Sequence, residues 1–279
     1  MARMLITGAS TGIGRATALA LAPHGQVTAT VRSSEAAAQL SEAADAAGVE
    51  LEVAHLDVTD HAAVRALVAD LEARGGISAL IHNAGQGFVG TLEQLDLDDL
   101  RACFEVNFFA VAATVQAVLP GMRQRGAGRV VVVSSVGGAI GQPFNDAYCA
   151  SKFAVEGLLE SLAPVVRPHG IDVVVVEPGP VATQFVANVH GLGNPAAMAP
   201  DSPYATERDG YLARVGQSFA NAQSSEEVAE VLCRAVLDPV VAPRVQTSAF
   251  AAGFVATKLT DLSGQAVQDL TSSWVAPAS

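Results

Sequence analysis

From its start to about residue 180 the chain alternates short apolar runs with stretches in which Ala and Leu recur at helical spacing. The apolar runs predict strands at Arg3 to Thr7, Gln26 to Val31, Glu50 to His55, Ala79 to His82, Arg129 to Ser134 and Ile171 to Glu177. The intervening stretches predict helices, among them Gly14 to Leu21 and Ala62 to Leu71. Val130 to Val133 and Val173 to Val176 are unbroken β-branched runs, as expected of central strands covered on both faces. Strand alternating with helix, joined by right-handed crossovers, implies a Rossmann-type, doubly wound α/β fold. Its sheet is expected to be mostly parallel and seven-stranded, with helices on both faces and ligands at the carboxyl ends of the strands.

The pattern changes after Pro178. Residues 184–223 lack strong periodicity and carry Gly191, Gly193, Pro195, Pro200, Pro203 and Gly210. So long an irregular stretch in a compact domain reads as a substrate-binding lid. A helix resumes at Ser225 to Leu237, capped by Ser225 or Ser224, with Glu226 and Glu227 in its first turn. Arg244 to Ser248 reads as a late strand at the sheet edge, and about 250–279 as a C-terminal extension. Neither a repeat nor a second domain is evident, so residues 1–279 are expected to form one unit.

Composition narrows the class. Half of the 279 residues are hydrophobic and 16% are charged, enough apolar material for a sizeable core. Mean hydropathy is +0.34, but no unbroken apolar run approaches the ~18 residues of a membrane span. No basic leader and cleavage site precede the first strand, so a cytoplasmic protein is expected. A net charge of −12 argues against a nucleic-acid partner. Cys103, Cys149 and Cys233 form neither a disulfide framework nor a metal site. Cys149, beside Tyr148, could be weighed as a nucleophile, but a free Cys ordinarily packs as a small apolar residue. His24, His55, His61, His82, His169 and His190 have no paired metal spacing, and no metal is expected. Glu42, Asp45, Asp96, Asp98 and Asp99 read as solvated helix faces.

Three patterns carry chemistry. Thr7-Gly8-Ala9-Ser10-Thr11-Gly12-Ile13-Gly14 follows the first strand and opens a helix. Glycines there let backbone approach a pyrophosphate, and the helix offers its positive end. The spacing G-x-x-x-G-x-G differs from the common G-x-G-x-x-G, so it is the position after the first strand that gives it force. The second strand ends at Arg32, 24 residues after Gly8. An acidic residue at such a place holds the ribose of NAD, whereas an arginine suits the 2′-phosphate of NADP. Tyr148 and Lys152, at i and i+4, share a helix face, and an ammonium beside a phenol favours the phenolate. Ser135, after the fifth strand and 13 residues before Tyr148, brings a third polar group to the same end of the sheet.

Taken in order, Thr7-Gly8-x-x-x-Gly12-x-Gly14, Asp57-Val58, Asn83-Ala84-Gly85, Asn107, Ser134-Ser135, Tyr148-x-x-x-Lys152 and Pro178-Gly179-x-x-x-Thr183 resemble the short-chain dehydrogenase/reductase family over nearly all of 1–185. The resemblance implies an NADP(H)-dependent oxidoreductase, with NAD(H) the lesser alternative. It implies that Ser135 polarises the substrate oxygen, Tyr148 passes the proton, Lys152 binds the nicotinamide ribose and lowers the Tyr148 pKa, and Asn107 supports a proton relay through water. It assigns Asp57 to the adenine, Asn83 to the adenosine ribose region and Thr183 to the nicotinamide amide. Gly8, Ser10, Thr11, Gly12, Ile13, Gly14, Arg32, Val58, Gly85, Tyr148, Pro178, Gly179 and Val181 complete the expected cofactor contacts. His82 stands where the family often has Asn, with little consequence expected. Thr28-Ala29-Thr30-Val31-Arg32, Glu177-Pro178-Gly179-Pro180-Val181, Glu226 to Val231 and Leu262-Ser263-Gly264 resemble the 17β-hydroxysteroid dehydrogenase type one branch and related bacterial oxidoreductases.

The implied activity interconverts a secondary alcohol and a ketone. The wall Gly137 to Phe144 and the lid residues Phe185, Val186, Val189, Leu192, Met198, Tyr204, Tyr211 and Leu212 are small or apolar, with Arg208 and Arg214 offset by Glu207 and Asp209. That suits a bulky apolar, steroid-like or aromatic substrate. A 3-ketoacyl-type reductase and a non-catalytic NADP-binding regulator are the alternatives. An epimerase or dehydratase would want a different first turn and a larger C-terminal domain. Phe104 to Leu119 and the helix after Tyr148 carry apolar residues on more than one face, and the resemblance, in which these two helices pair between subunits, implies a homodimer or homotetramer.

Overall fold

Seven strands form one parallel sheet in the computed structural model, which describes residues 2–183, 199–219 and 222–275. They are β1 (Arg3–Thr7), β2 (Gln26–Val31), β3 (Glu52–His55), β4 (Ala79–His82), β5 (Gly128–Val133), β6 (Ile171–Glu177) and β7 (Arg244–Gln246). Their order across the sheet is β3-β2-β1-β4-β5-β6-β7, and every pair is parallel. The chain works outward from β1 to β3, then crosses back to place β4 on the other side of β1. The sheet is therefore doubly wound, and the crevice at that reversal opens where β1 and β4 end.

The two valine runs explain the centre of the sheet. β5 and β6 pair in register from Gly128↔Ile171 to Val133↔Val176, so the runs lie side by side. Alternate side chains leave opposite faces. Val131, Val133, Val174 and Val176 join the core beneath α1 (Gly12–Leu21) and α8 (Ser225–Leu237). Val130, Val132, Val173 and Val175 join the core beneath α5 (Ala110–Arg125) and α6 (Asp146–Val166). Each fully buried valine contributes about 1.5–3 kcal/mol relative to exposure. A run with an apolar residue at every position is stable only with both faces covered.

The remaining helices are α2 (Ser34–Ala47), α3 (His61–Ala73), α4 (Leu97–Phe104), α7 (Ala205–Phe219), α9 (Ala249–Leu259) and α10 (Gln265–Ser272). Ser224, not Ser225, caps α8, in a capping box with Glu227. Of the expected lid, 184–198 and 220–221 lie outside the described residues, and with them Phe185, Val186, Val189, Leu192 and Met198. Within that stretch α7 is a helix where sequence periodicity gave none. Gly210 and Gly216 weaken its pattern, and it is stabilised through burial of Tyr211 and Arg208; Arg208 donates to the Ala199 carbonyl at 2.7 Å and pairs with Asp209. The C-terminal extension likewise folds, as α9 and α10.

The continuous helical stretch Leu97–Arg125 is long and apolar enough, by length and composition alone, to cross a membrane. Searching for unbroken apolar runs passes it over, because polar residues interrupt it. Val111, Val115, Val118 and Met122 on this stretch pack into the sheet core.

Candidate active site

A cavity of about 1110 Å³ runs along the carboxyl edge of the sheet. Every site residue expected from the sequence lines it, apart from Gly14 and Asn107. At one end lies the turn from β1 into α1. Gly8 (φ +69°) and Gly12 (φ +57°) adopt left-handed backbone that other residues rarely take. A Cβ on Gly8 would stand 2.7 Å from Ala84 Cα, and one on Gly14 would stand 2.2 Å from the Gly8 carbonyl oxygen. Gly14 thus packs helix against turn rather than facing the cavity. Thr11, at the N-cap of α1, makes no side-chain cap bond to the first amides of the helix. A helix N-terminus beside glycine backbone fits a pyrophosphate. Asn83 spends its amide on the same turn, donating to Thr7 and Gly8 carbonyls at 3.3 and 2.9 Å.

Further along, Arg32 is exposed at the end of β2 and lines the cavity with Asp57. Asp57 accepts from Thr59 N and Oγ1 at 3.0 and 2.8 Å. Those bonds hold its carboxyl below the ordinary range, outweighing partial burial, with a smaller contribution from Arg32.

The reacting corner sits between β5 and α6. Ser135, two residues beyond β5, accepts from Gly137 N at 3.0 Å and is hydrogen-bonded to the Tyr148 side chain. Lys152, one turn along α6, donates to the Val133 carbonyl at 3.0 Å and lies 5.9 Å from the Tyr148 ring centre. Burial draws its pKa down to about 8. Burial also pushes the Tyr148 phenol above its usual value, and the Ser135 hydrogen bond only partly offsets this. In the protein without cofactor the phenol is thus raised overall. Desolvation dominates, and the ammonium is held by a carbonyl rather than by the phenol oxygen.

Asn107 is completely buried behind this corner, in a π-helical turn (Glu105–Phe109) between α4 and α5. Its Oδ1 accepts from Gln86 N at 2.8 Å, and its Nδ2 donates to Gln86 O at 2.9 Å and to Ser151 Oγ at 3.1 Å. A Cβ on Gly85 would lie 3.2 Å from Asn107 Oδ1 and 3.5 Å from Lys152 Nζ, so glycine there lets these groups close together. His82 is buried, and desolvation lowers its pKa to about 3, keeping it neutral. Cys149 is pushed up to about 12 by burial, which makes it a poor nucleophile.

The substrate end has walls that the sequence motifs did not identify. Phe250, Phe254 and Trp274, from α9 and just past α10, line it. Phe250 stacks on Phe254 at 6.1 Å, and Phe254 on Trp274 at 5.8 Å. The i, i+4 spacing of the two phenylalanines was the available signal. Opposite, Phe144 adopts φ 59°, unusual for a bulky residue. It packs on Tyr211 at 5.6 Å, while Asn145 donates to the Tyr211 hydroxyl at 2.5 Å. These contacts tie the segment before Tyr148 to α7.

A nucleotide turn at the first strand and a Ser–Tyr–Lys corner opening into one cavity define a dinucleotide-dependent oxidoreductase class. A family model described as short chain dehydrogenase matches residues 2–191, and the chain belongs to that family. It is 41% identical over 271 residues to the 17-beta-hydroxysteroid dehydrogenase type 1 of Homo sapiens, covering 94% of this chain and 82% of that protein. Among solved structures, a short-chain dehydrogenase from Streptomyces avermitilis matches with a TM-score of 0.78 and 32% identity, over 98% of this chain and 97% of that one. Actinorhodin polyketide ketoreductase with NADPH matches at 0.74 and 29%, over 88% and 95%.

Proposed function

We propose that this protein is an NADP(H)-dependent oxidoreductase that interconverts a secondary alcohol and a ketone on a bulky, apolar, steroid-like or aromatic substrate. The observation that carries the reading is the convergence of Ser135, Tyr148 and Lys152 on the cavity that the Gly8–Gly12 turn also enters.

A nicotinamide cofactor held along Gly8, Ser10, Thr11, Gly12, Ile13, Asp57, Val58, Asn83, Gly85, Pro178, Gly179, Val181 and Thr183 supplies or accepts the hydride. The chain's residues manage the proton. Ser135 orients the substrate oxygen, and the Tyr148 hydroxyl donates its proton to that oxygen in reduction and takes it back in oxidation. Lys152 carries the charge that eases proton release by the phenol, and Asn107 holds the Gln86 backbone and Ser151 behind it. Arg32 favours NADP over NAD through a charged bond to the 2′-phosphate. Support for the apolar substrate comes from the Phe250, Phe254 and Trp274 wall and from the hydroxysteroid named for the human relative.

The test is a panel of ketones with NADPH and NADH on purified protein. Neutral cyclic or aromatic ketones are expected to outrun an acetoacetyl thioester in kcat/KM. The reverse order would replace the substrate class with a 3-ketoacyl type, and no turnover of any carbonyl would favour a regulatory binder.

A further inference from the structure

Behind the reacting corner lies a buried cluster that the proposed reaction leaves unused. Glu156, one turn of α6 beyond Lys152, accepts from Ser134 Oγ at 2.7 Å and from Arg244 Nη2 at 2.9 Å. Arg244, on β7, also pairs with Glu177, which is fully buried at the end of β6 and accepts from Gln246 Nε2 at 2.5 Å. Each carboxylate partner adjoins the cavity wall: Ser134 precedes Ser135, and Glu177 precedes Pro178-Gly179. The packing is tight. A Cβ on Gly138 would stand 2.1 Å from Glu156 Oε1 and 2.5 Å from Ser134 Oγ, so the turn after Ser135 lies directly on this pair.

We infer that Glu156 is a positioning residue: gripped by Arg244, it seats Ser134 and the turn carrying Ser135, and it places a carboxyl group one turn of α6 behind Lys152. This role presupposes that Ser135, Tyr148 and Lys152 react as proposed. Ser134 and Arg244 each donate to Glu156, and a hydrogen bond with the Glu177 carboxyl group joins the two acids. Two acids share one guanidinium here, and burial with the Glu177 charge raises Glu156 to about 7. Burial lowers Lys152 to about 8, and Cys103 and then Glu156 oppose that. Cys103 and the Tyr148 phenol are pushed up by burial and stay protonated near neutrality, and His82 stays neutral. Glu177 and Glu160 act on Arg244. Lys258, from α9, sits 4.0 Å from the Phe153 ring centre and also feels Glu156.

The chain has two lysines, Lys152 and Lys258, so carbon-13 lysine NMR on the unliganded full chain follows each ammonium separately. Glu156→Gln keeps the shape and an acceptor for Ser134 but removes the charge. It is expected to lower the Lys152 pKa, because the opposing charge is lost. The basic limb of the kcat/KM profile should move down with it. Ser134→Ala removes the seating bond and leaves the charge; kcat is expected to fall about tenfold or more with the Lys152 titration unmoved. Should Glu156→Gln not fold, Glu156→Asp keeps the charge at shorter reach, and is expected to leave the Lys152 titration near wild type with kcat reduced. A wild-type Lys152 titration in folded Glu156→Gln, or a wild-type kcat in Ser134→Ala, overturns the inference. The NMR titration needs no turnover, so it decides the role of Glu156 on Lys152 even if no ketone is reduced, a result that would instead overturn the oxidoreductase reading.

Discussion

The Lys152 ammonium donates to the Val133 carbonyl at 3.0 Å, reaching from α6 to the end of β5 just before Ser134-Ser135. That bond holds the cation in a buried place, and burial draws its pKa down to about 8. Reduction of a ketone needs both the Lys152 charge and the Tyr148 proton. As pH rises through about 8 the free enzyme loses the ammonium, so kcat/KM for reduction should fall there. Lys152→Arg, whose charge persists, should remove that limb at the expense of rate. A profile flat to pH 9.5 in the wild type would contradict this.

Tyr148→Phe removes one oxygen and keeps the ring. Positioned acid–base groups contribute about 10²–10⁴-fold, and kcat should fall by that order. NADPH binding, read by fluorescence titration, should hold within about threefold, because a charge-free ring change leaves the turn at Gly8 to Gly14 intact. Retention of a tenth of wild-type turnover would remove Tyr148 from the proton path.

Arg32 is exposed on the cavity wall beyond β2. A charged hydrogen bond to the 2′-phosphate contributes roughly 1.5–3 kcal/mol, or about ten- to a hundredfold in affinity. Arg32→Asp should therefore reverse the preference from NADPH to NADH. Equal kcat/KM with the two cofactors in the wild type would contradict the assignment.

Gly14 and Gly141 make a matched pair of glycines. A Cβ on Gly14 would meet the Gly8 carbonyl oxygen at 2.2 Å and Asn83 Nδ2 at 2.5 Å, whereas one on Gly141 meets nothing within 4 Å. Gly14→Ala should cost about 1–3 kcal/mol by overpacking and weaken cofactor binding. Gly141→Ala should be neutral or slightly stabilising. Chemical denaturation of both variants measures the difference.

Leu97, on α4, and Phe109, at the end of the π-helical turn, are 60% and 48% exposed, and Val165 near the end of α6 is 65% exposed. The dimer or tetramer expected from the sequence would cover side chains of this kind. Light scattering at micromolar concentration should give a dimer or tetramer, and Phe109→Asp should shift it toward monomer.

The chain's own periodicity determined the strand–helix alternation, the parallel sheet and the corner residues, because these depend on local pattern. A valine at every position needs two covered faces, and Tyr148 with Lys152 at i, i+4 must share a helix face. Ser135 and the Gly8 turn were legible as candidates because each follows a strand, and parallel strands end on one edge of the sheet; Tyr148 was legible from its spacing to Lys152 and from the family resemblance. What tertiary structure decided is what depends on contacts between distant segments. Residues 205–219 form α7 because Tyr211 and Arg208 find a buried place, which overrides two interior glycines. Phe250, Phe254 and Trp274 become cavity wall only when α9 and α10 fold back on it. The burial that raises the Tyr148 phenol and lowers the Lys152 ammonium also belongs to the tertiary structure, because it depends on the segments packed around α6.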